Sequence, residues 1–133
     1  MKNIVLCIVV NNEGEILLQK KTNDYRYFPG AWSLFGGKAE SKNLDEEMKR
    51  ELIEEIGIEL KTNFLFNFNL KVEESVDNFH VFFSKVNDLS KISIGEGAGI
   101  AFFAENELSK IEINPVCIQA INLFLERKNG EEL

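Results

Sequence analysis

Basic charge, histidine, cysteine and long apolar runs are all scarce in this chain, and each scarcity removes a class of function. Across 133 residues, 22 acidic against 15 basic side chains leave a net charge of −7. Nucleic-acid binding, which wants a broad basic face, is therefore not expected. The two cysteines, Cys7 and Cys117, lie far apart in apolar stretches without a CxxC or Cys/His cluster. They read as buried, reduced thiols of a cytoplasmic protein and not as a disulfide framework. The one histidine, His80, sits between Phe79 and Val81 in a strand-like stretch, where a structural role is the ordinary one. The apolar run from Ile4 to Val10 is too short to span a membrane. Its β-branched residues, the polar turn that follows and the lack of a small-residue cleavage site make it a strand and not a signal peptide. No repeats, linkers or low-complexity tracts interrupt the chain, so one domain is expected over residues 1–133, large enough for a core without disulfides.

What is present is a set of well-marked elements. Ile4 to Val10 and Glu15 to Lys21, joined at Asn12, Glu13 and Gly14, predict a hairpin. Trp32 to Phe35 reads as a short strand ending at the glycine pair Gly36 and Gly37. Leu44, Met48, Leu52 and Ile56 recur at helical spacing, with Asn43 as cap and Gly57 as stop, which predicts a helix over Leu44 to Ile56. Alternation from Phe64 to Val72 predicts a half-buried strand. Phe79 to Val86 reads as its partner across a turn at Ser75 to Asn78, and Ile100 to Ala104 as a further strand. Asn114 and Pro115 open a last helix that Gly130 is expected to end. Strands alternating with helices predict a mixed sheet covered on both faces.

The central helix carries Glu51, Glu54 and Glu55 within two turns. At i,i+3 and i,i+4 spacing these carboxylates are neighbours, and like charges so placed cost a helix a few tenths of a kcal/mol per pair. Such a run is ordinarily a solvated face. Glu55, however, projects beside the apolar stripe, where a carboxylate is costly unless paired. A divalent cation supplies a partner: Mg²⁺ or Mn²⁺ takes oxygen ligands, typically a few carboxylates with substrate phosphates. The preceding double glycine lets backbone approach an ion or a phosphate closely.

Gly36, Gly37, Lys38, Ala39 and Glu40, followed by Arg50, Glu51, Leu52, Ile53, Glu54, Glu55, Ile56, Gly57 and Ile58, resemble the Nudix box, G-x5-E-x7-R-E-U-x-E-E-x-G-U with U aliphatic. The second half matches at every fixed position. Tyr27 to Trp32 and the later Glu96-Gly97 resemble further segments of that family, and the likeness runs from about Ile4 to the last helix. One position departs. The first glutamate of the box falls on Lys42 counting from Gly36, or on Asn43 counting from Gly37, so it is missing either way. In the family that residue supports the arginine and the metal site; Glu40 is the substitute at hand.

The resemblance implies an α/β fold, the Nudix α/β/α sandwich with a mixed sheet between helices, and a Mg²⁺-dependent hydrolase, Mn²⁺ being an alternative ion. Its substrate would be a nucleoside diphosphate linked to another group, such as a nucleotide sugar or a nucleoside triphosphate. Glu51, Glu54 and Glu55 are the expected metal ligands, with a carbonyl of Gly36 or Gly37. Arg50 is expected to orient a glutamate, and Glu54 and Glu96 are the two candidates for activating water. Lys38, Arg26 and Tyr27 are candidate substrate contacts. The rival expectation is a nucleotide-binding module whose chemistry the altered loop has weakened. Partners are expected to be small molecules, with a homodimer the oligomer that the resemblance allows, and no membrane involved.

Overall fold

The computed structural model describes residues 1–95 and 97–131. β1 (Asn3–Val10) and β2 (Ile16–Lys20) form the expected hairpin. They pair only beside their turn, Val9 with Leu17 and Val10 with Ile16, and then diverge. Residues 32–38 fill the gap. β3 (Trp32–Ser33) pairs antiparallel with β2, and β4 (Phe35–Lys38) pairs antiparallel with β1. The strand expected over Trp32 to Phe35 is thus divided at Leu34, because its two halves bond to strands that separate. This arrangement delivers the glycine pair to the open end of the gap, held along β1 by Gly36 opposite Leu6 and Gly37 opposite Val5.

On the other edge of β1 runs β6 (Ser75–Lys85), parallel to it, with β5 (Asn63–Val72) antiparallel to β6. Val72 pairs with Ser75, so the turn is Glu73-Glu74 and not the polar stretch Ser75 to Asn78, which is already strand. Glu73 makes this tight turn possible by adopting φ 55°. β7 (Gly99–Phe103) lies antiparallel on β2. The sheet is therefore mixed, and among the described residues each face carries one α-helix.

β1 shows how the layers form. Side chains alternate across a strand, so Leu6, Ile8 and Val10 join Cys117, Ala120 and Ile121 of α2 (Pro115–Glu131) in one core. Val5, Cys7 and Val9 join Met48, Leu52 and Ile56 of α1 (Leu44–Ile56) in the other. This is an α/β/α sandwich. Met48, Leu52 and Ile56 are fully buried, a contribution of roughly 1.5–3 kcal/mol each relative to exposure. The ends of α1 are fixed by the residues the sequence marks. Asn43 Oδ1 accepts the Glu46 amide at 3.3 Å, and Gly57, at φ 73°, donates its amide to Ile53 O at 3.0 Å. At α2 the Asn114 side chain accepts the Val116 amide at 2.9 Å. The helix does not stop at Gly130 but continues to Glu131, since a glycine inside a helix costs only about 1 kcal/mol. No helix among the described residues is long and apolar enough to cross a membrane.

Candidate functional site

The glycine pair and α1 meet through backbone and carboxylate. A side chain at Gly36 would run into the Val5 carbonyl, and one at Gly37 would occupy the place of the Glu51 carboxylate. Glycine at 37 is thus what lets Glu51 lie against β4. Beside it, Glu55 Oε2 accepts the Gly36 amide at 2.9 Å, while its Oε1 accepts Gln19 Nε2 at 2.6 Å and lies 3.8 Å from Lys21 Nζ. Glu55 is 2% exposed. Burial pushes its pKa up to about 7; the Gln19 hydrogen bond and the Lys21 charge oppose that rise, and the negative charge of Glu51 adds to it. The carboxylate beside the apolar stripe therefore has backbone, amide and ammonium partners, as a buried charge requires.

Arg50 binds three glutamates with one guanidinium. Nε donates to Glu47 Oε2 at 2.9 Å, Nη1 to Glu54 Oε1 at 2.9 Å and Nη2 to Glu51 Oε1 at 3.2 Å. Its planar fork of donors suits such divided contact. Of the three carboxylates Glu54 is the open one, its side chain 48% exposed, against 12% for Glu51 and 7% for Glu47. The Arg50 hydrogen bond holds the Glu47 carboxyl below its ordinary value, assisted by the amides of Glu40 and Ser41, against burial.

Glu47 is the residue that sequence reading misses. It sits among three acids of the first helical turn, Asp45, Glu46 and Glu47, and looks like helix-dipole decoration. A signal does exist: Glu47, Glu51, Glu54 and Glu55 stand at i, i+4, i+7 and i+8, one face of the helix. Glu40, the expected substitute for the missing loop glutamate, enters the network through its backbone amide, with its side chain exposed. Glu96 lies outside the described residues. Its neighbour Gly95 donates its amide to Glu55 O at 3.0 Å, against the end of α1.

A cleft of about 510 Å³ opens on the glycine pair. Its lining includes Gly36, Gly37 and Lys38, the cationic Lys2 and Lys21, the aromatic Tyr25, Tyr27 and Phe28, and the acidic Glu73, Glu74 and Asp77. Of the three candidate substrate contacts, Lys38 and Tyr27 line this cleft. Arg26 is not among its lining residues; its guanidinium stacks on the Tyr27 ring, 4.9 Å from the centroid. Lys21 stands over Tyr25 at 4.6 Å. Deeper in, Ser33 is 3% exposed and its Oγ has no hydrogen-bond partner among the described residues, an acceptor and donor ready for a ligand. A larger hollow, about 810 Å³ between Asp45, Lys49 and residues 59–64, does not reach the loop glycines; the glutamates held by Arg50 line neither hollow, and the glycine pair is what connects them to the cleft. His80 is away from all of this, hydrogen-bonded at 3.0 Å to Asn3 Oδ1.

Among the described residues no three carboxylate, thiol or imidazole groups converge into a cage for an ion. Mg²⁺ does not need one, because it usually binds through one or two carboxylates and completes its shell with water and substrate phosphate. Hard oxygen donors beside a glycine backbone fit that ion, and the space that a side chain at Gly37 would fill is the space the Glu51 carboxylate uses.

A family model described as NUDIX domain matches residues 2–121. The nucleoside triphosphatase NudI of Escherichia coli O139:H28 is 40% identical over 57 residues, a segment covering 42% of this chain and 40% of that protein. The match thus spans about 40% of the length of the relative. Among solved structures, the MutT protein from Methanosarcina mazei Go1 superposes with a TM-score of 0.80 at 23% identity, covering 96% of this chain and 94% of that one. The NUDIX domain of Shewanella oneidensis NrtR, complexed with ADP ribose, gives a TM-score of 0.78 at 15% identity, covering 94% and 86%. At these identities the likeness to the solved structures is one of fold.

Proposed function

The chain belongs to the Nudix family, and from that premise we propose that it hydrolyses a phosphoanhydride bond in a nucleoside diphosphate derivative, with Mg²⁺ or Mn²⁺ as the ion. The observation that carries this reading is the single guanidinium of Arg50 gathering Glu51 and Glu54 beside a glycine pair that also lines a cleft. Glu51 and Glu54 would hold the ion, with Glu55 and a carbonyl of Gly36 or Gly37 as further oxygens. When bound, the cation neutralises phosphoryl oxygens and lowers the pKa of a water. The chain's own groups do the rest. Lys21, beside the Glu55 carboxylate, and Lys38, in the lining of the cleft, attract the anionic chain of phosphates. Tyr25, Tyr27 and Phe28 offer faces for a nucleobase, worth roughly 1–3 kcal/mol per stacked base, and Ser33 Oγ offers it a hydrogen bond. Arg50 keeps Glu51 and Glu54 apart from one another's charge while leaving the exposed Glu54 able to orient water. The sequence keeps Glu96 as the other candidate for that role.

The name of the relative, nucleoside triphosphatase, and the ADP ribose in the NrtR complex bracket the substrate classes worth testing. Nucleoside triphosphates, nucleotide sugars and ADP-ribose would each be offered to the purified chain with Mg²⁺ and with Mn²⁺, and products resolved chromatographically. Turnover of at least one class, abolished by EDTA and restored by the ion, is expected. A nucleotide that raises the melting temperature without being cleaved would instead support the binding-module reading, which the missing glutamate at positions 42 and 43 favours.

A further inference from the structure

The motif asks for a glutamate in the glycine loop, and this chain has lysine and asparagine there, at positions 42 and 43. One turn into α1, Glu47 is nevertheless 5% exposed and fully engaged. Its Oε1 accepts the amides of Glu40 at 2.7 Å and Ser41 at 2.6 Å, and its Oε2 accepts Arg50 Nε at 2.9 Å. We propose that Glu47 is a positioning residue which, from the helix, does the work of the absent loop carboxylate: it locks Arg50 and through it the placement of Glu51 and Glu54.

The geometry explains how one carboxylate does this. Arg50 is a long, flexible side chain, 37% exposed. With Nε committed to Glu47, the plane of the guanidinium is fixed, and its two terminal nitrogens reach one glutamate each. The same carboxylate ties down the loop at residues 40 and 41, so loop and arginine share one anchor. Released from Glu47, Arg50 gains water-exposed rotamers, and Glu51 and Glu54 lose the charge that keeps their mutual repulsion in check. Partners that orient metal ligands in this way ordinarily change metal affinity about 10–100-fold when removed.

This inference rests on Glu51 and Glu54 being ion-holding residues, and its test separates the two ideas. Glu47→Gln is the informative change. A glutamine keeps an oxygen for the two loop amides but turns an amide nitrogen toward Arg50 Nε, donor against donor, so the loop tether survives and the arginine link breaks. Mn²⁺ would be titrated calorimetrically into the wild-type chain, Glu47→Gln, Glu47→Asp and the first-turn control Glu46→Gln. Melting temperatures, and kcat and KM for whichever substrate class is cleaved, would be measured on the same samples. The expected result is Mn²⁺ affinity about 10–100-fold weaker in Glu47→Gln, kcat reduced by a similar factor and KM changed less than about threefold, with Glu46→Gln as wild type. If Glu47→Gln does not fold, the same losses in a folded Glu47→Asp carry the proposal. A folded variant with wild-type Mn²⁺ affinity and kcat overturns it and leaves Glu47 a loop tether. A wild-type chain that binds no Mn²⁺ overturns the assignment of Glu51 and Glu54 themselves.

Discussion

Gly37→Ala is expected to leave a folded protein without a working site, whereas Gly36→Ala is expected to lose the fold. The two glycines are adjacent, and their surroundings set opposite outcomes. At Gly36 the backbone takes φ 153° and a methyl group would meet the Val5 carbonyl, a main-chain atom of the central strand β1 that cannot step aside. Strain of that kind costs several kcal/mol, a large part of the roughly 5–15 kcal/mol that holds a domain together. At Gly37 the backbone is ordinary and the methyl group would meet only the Glu51 carboxylate, the end of a flexible side chain. The fold yields there at little cost, and the carboxylate leaves its place. Circular dichroism and thermal melting should show a melting temperature within about 5 °C of wild type for Gly37→Ala, with turnover down by about 10²-fold or more, the scale of losing a charge-stabilising group. Gly36→Ala should be largely insoluble or melt far below wild type. Equal behaviour of the two variants would refute the separate roles assigned to them.

Glu55→Gln should make the protein more stable at pH 8 in metal-free buffer. In the folded chain burial raises the Glu55 pKa to about 7 from an ordinary 4.5, so between those values the folded state holds a proton that the unfolded state has lost. Stability from this group is therefore full below about pH 4.5, falls as pH rises through 7 and is flat above. A shift of that size corresponds to about 3 kcal/mol at most, taking about 1.4 kcal/mol per pKa unit. Glutamine fits the same place. Its oxygen can keep the Gly36 amide, and its nitrogen can donate to Gln19 Oε1, which has no partner among the described residues, once the Gln19 amide turns over. Chelator-treated wild type should lose roughly 5–10 °C of melting temperature between pH 5 and pH 8 relative to Glu55→Gln. Saturating Mg²⁺ at pH 8 should recover part of that loss in wild type alone. A wild-type chain whose melting temperature tracks that of Glu55→Gln across this range would show that the buried carboxylate is no burden. The proposed function supplies the reason for keeping a costly charge, since Glu55 ionises most favourably when a cation stands beside it.

The parts legible in the sequence were those encoded by local rules. α1 runs between the residues expected, Leu44 and Ile56, because a cap, a left-handed glycine and an apolar stripe at i,i+4 all agree. The turn of the second hairpin is not legible locally, because Ser75, Asp77 and Asn78 have turn-like chemistry while Glu73-Glu74 does not; pairing of Val72 with Ser75 decides the matter, and that is a non-local fact. The break at Leu34 follows from the divergence of β1 and β2, which no window of sequence contains. The same holds in the site. Arg50, Glu51 and Glu54 are neighbours by helical spacing and are readable as such. The anchoring of Glu47 depends on amides of a loop six and seven residues earlier, and the engagement of Glu55 depends on Gln19, 36 residues away. Ser33 shows its open hydroxyl only once β3 is seated beside the cleft.

The central claim is that the carboxylates gathered by Arg50 hold a divalent cation together with a nucleotide. It is tested most directly by electron paramagnetic resonance titration of Mn²⁺ into the wild-type chain and the Glu51→Gln, Glu54→Gln double variant, with a non-hydrolysable nucleoside triphosphate present. Wild type is expected to remove free Mn²⁺ from solution with an affinity about 10²-fold or more above that of the folded double variant. Indistinguishable Mn²⁺ binding by the two proteins, whether strong or absent in both, would contradict the claim.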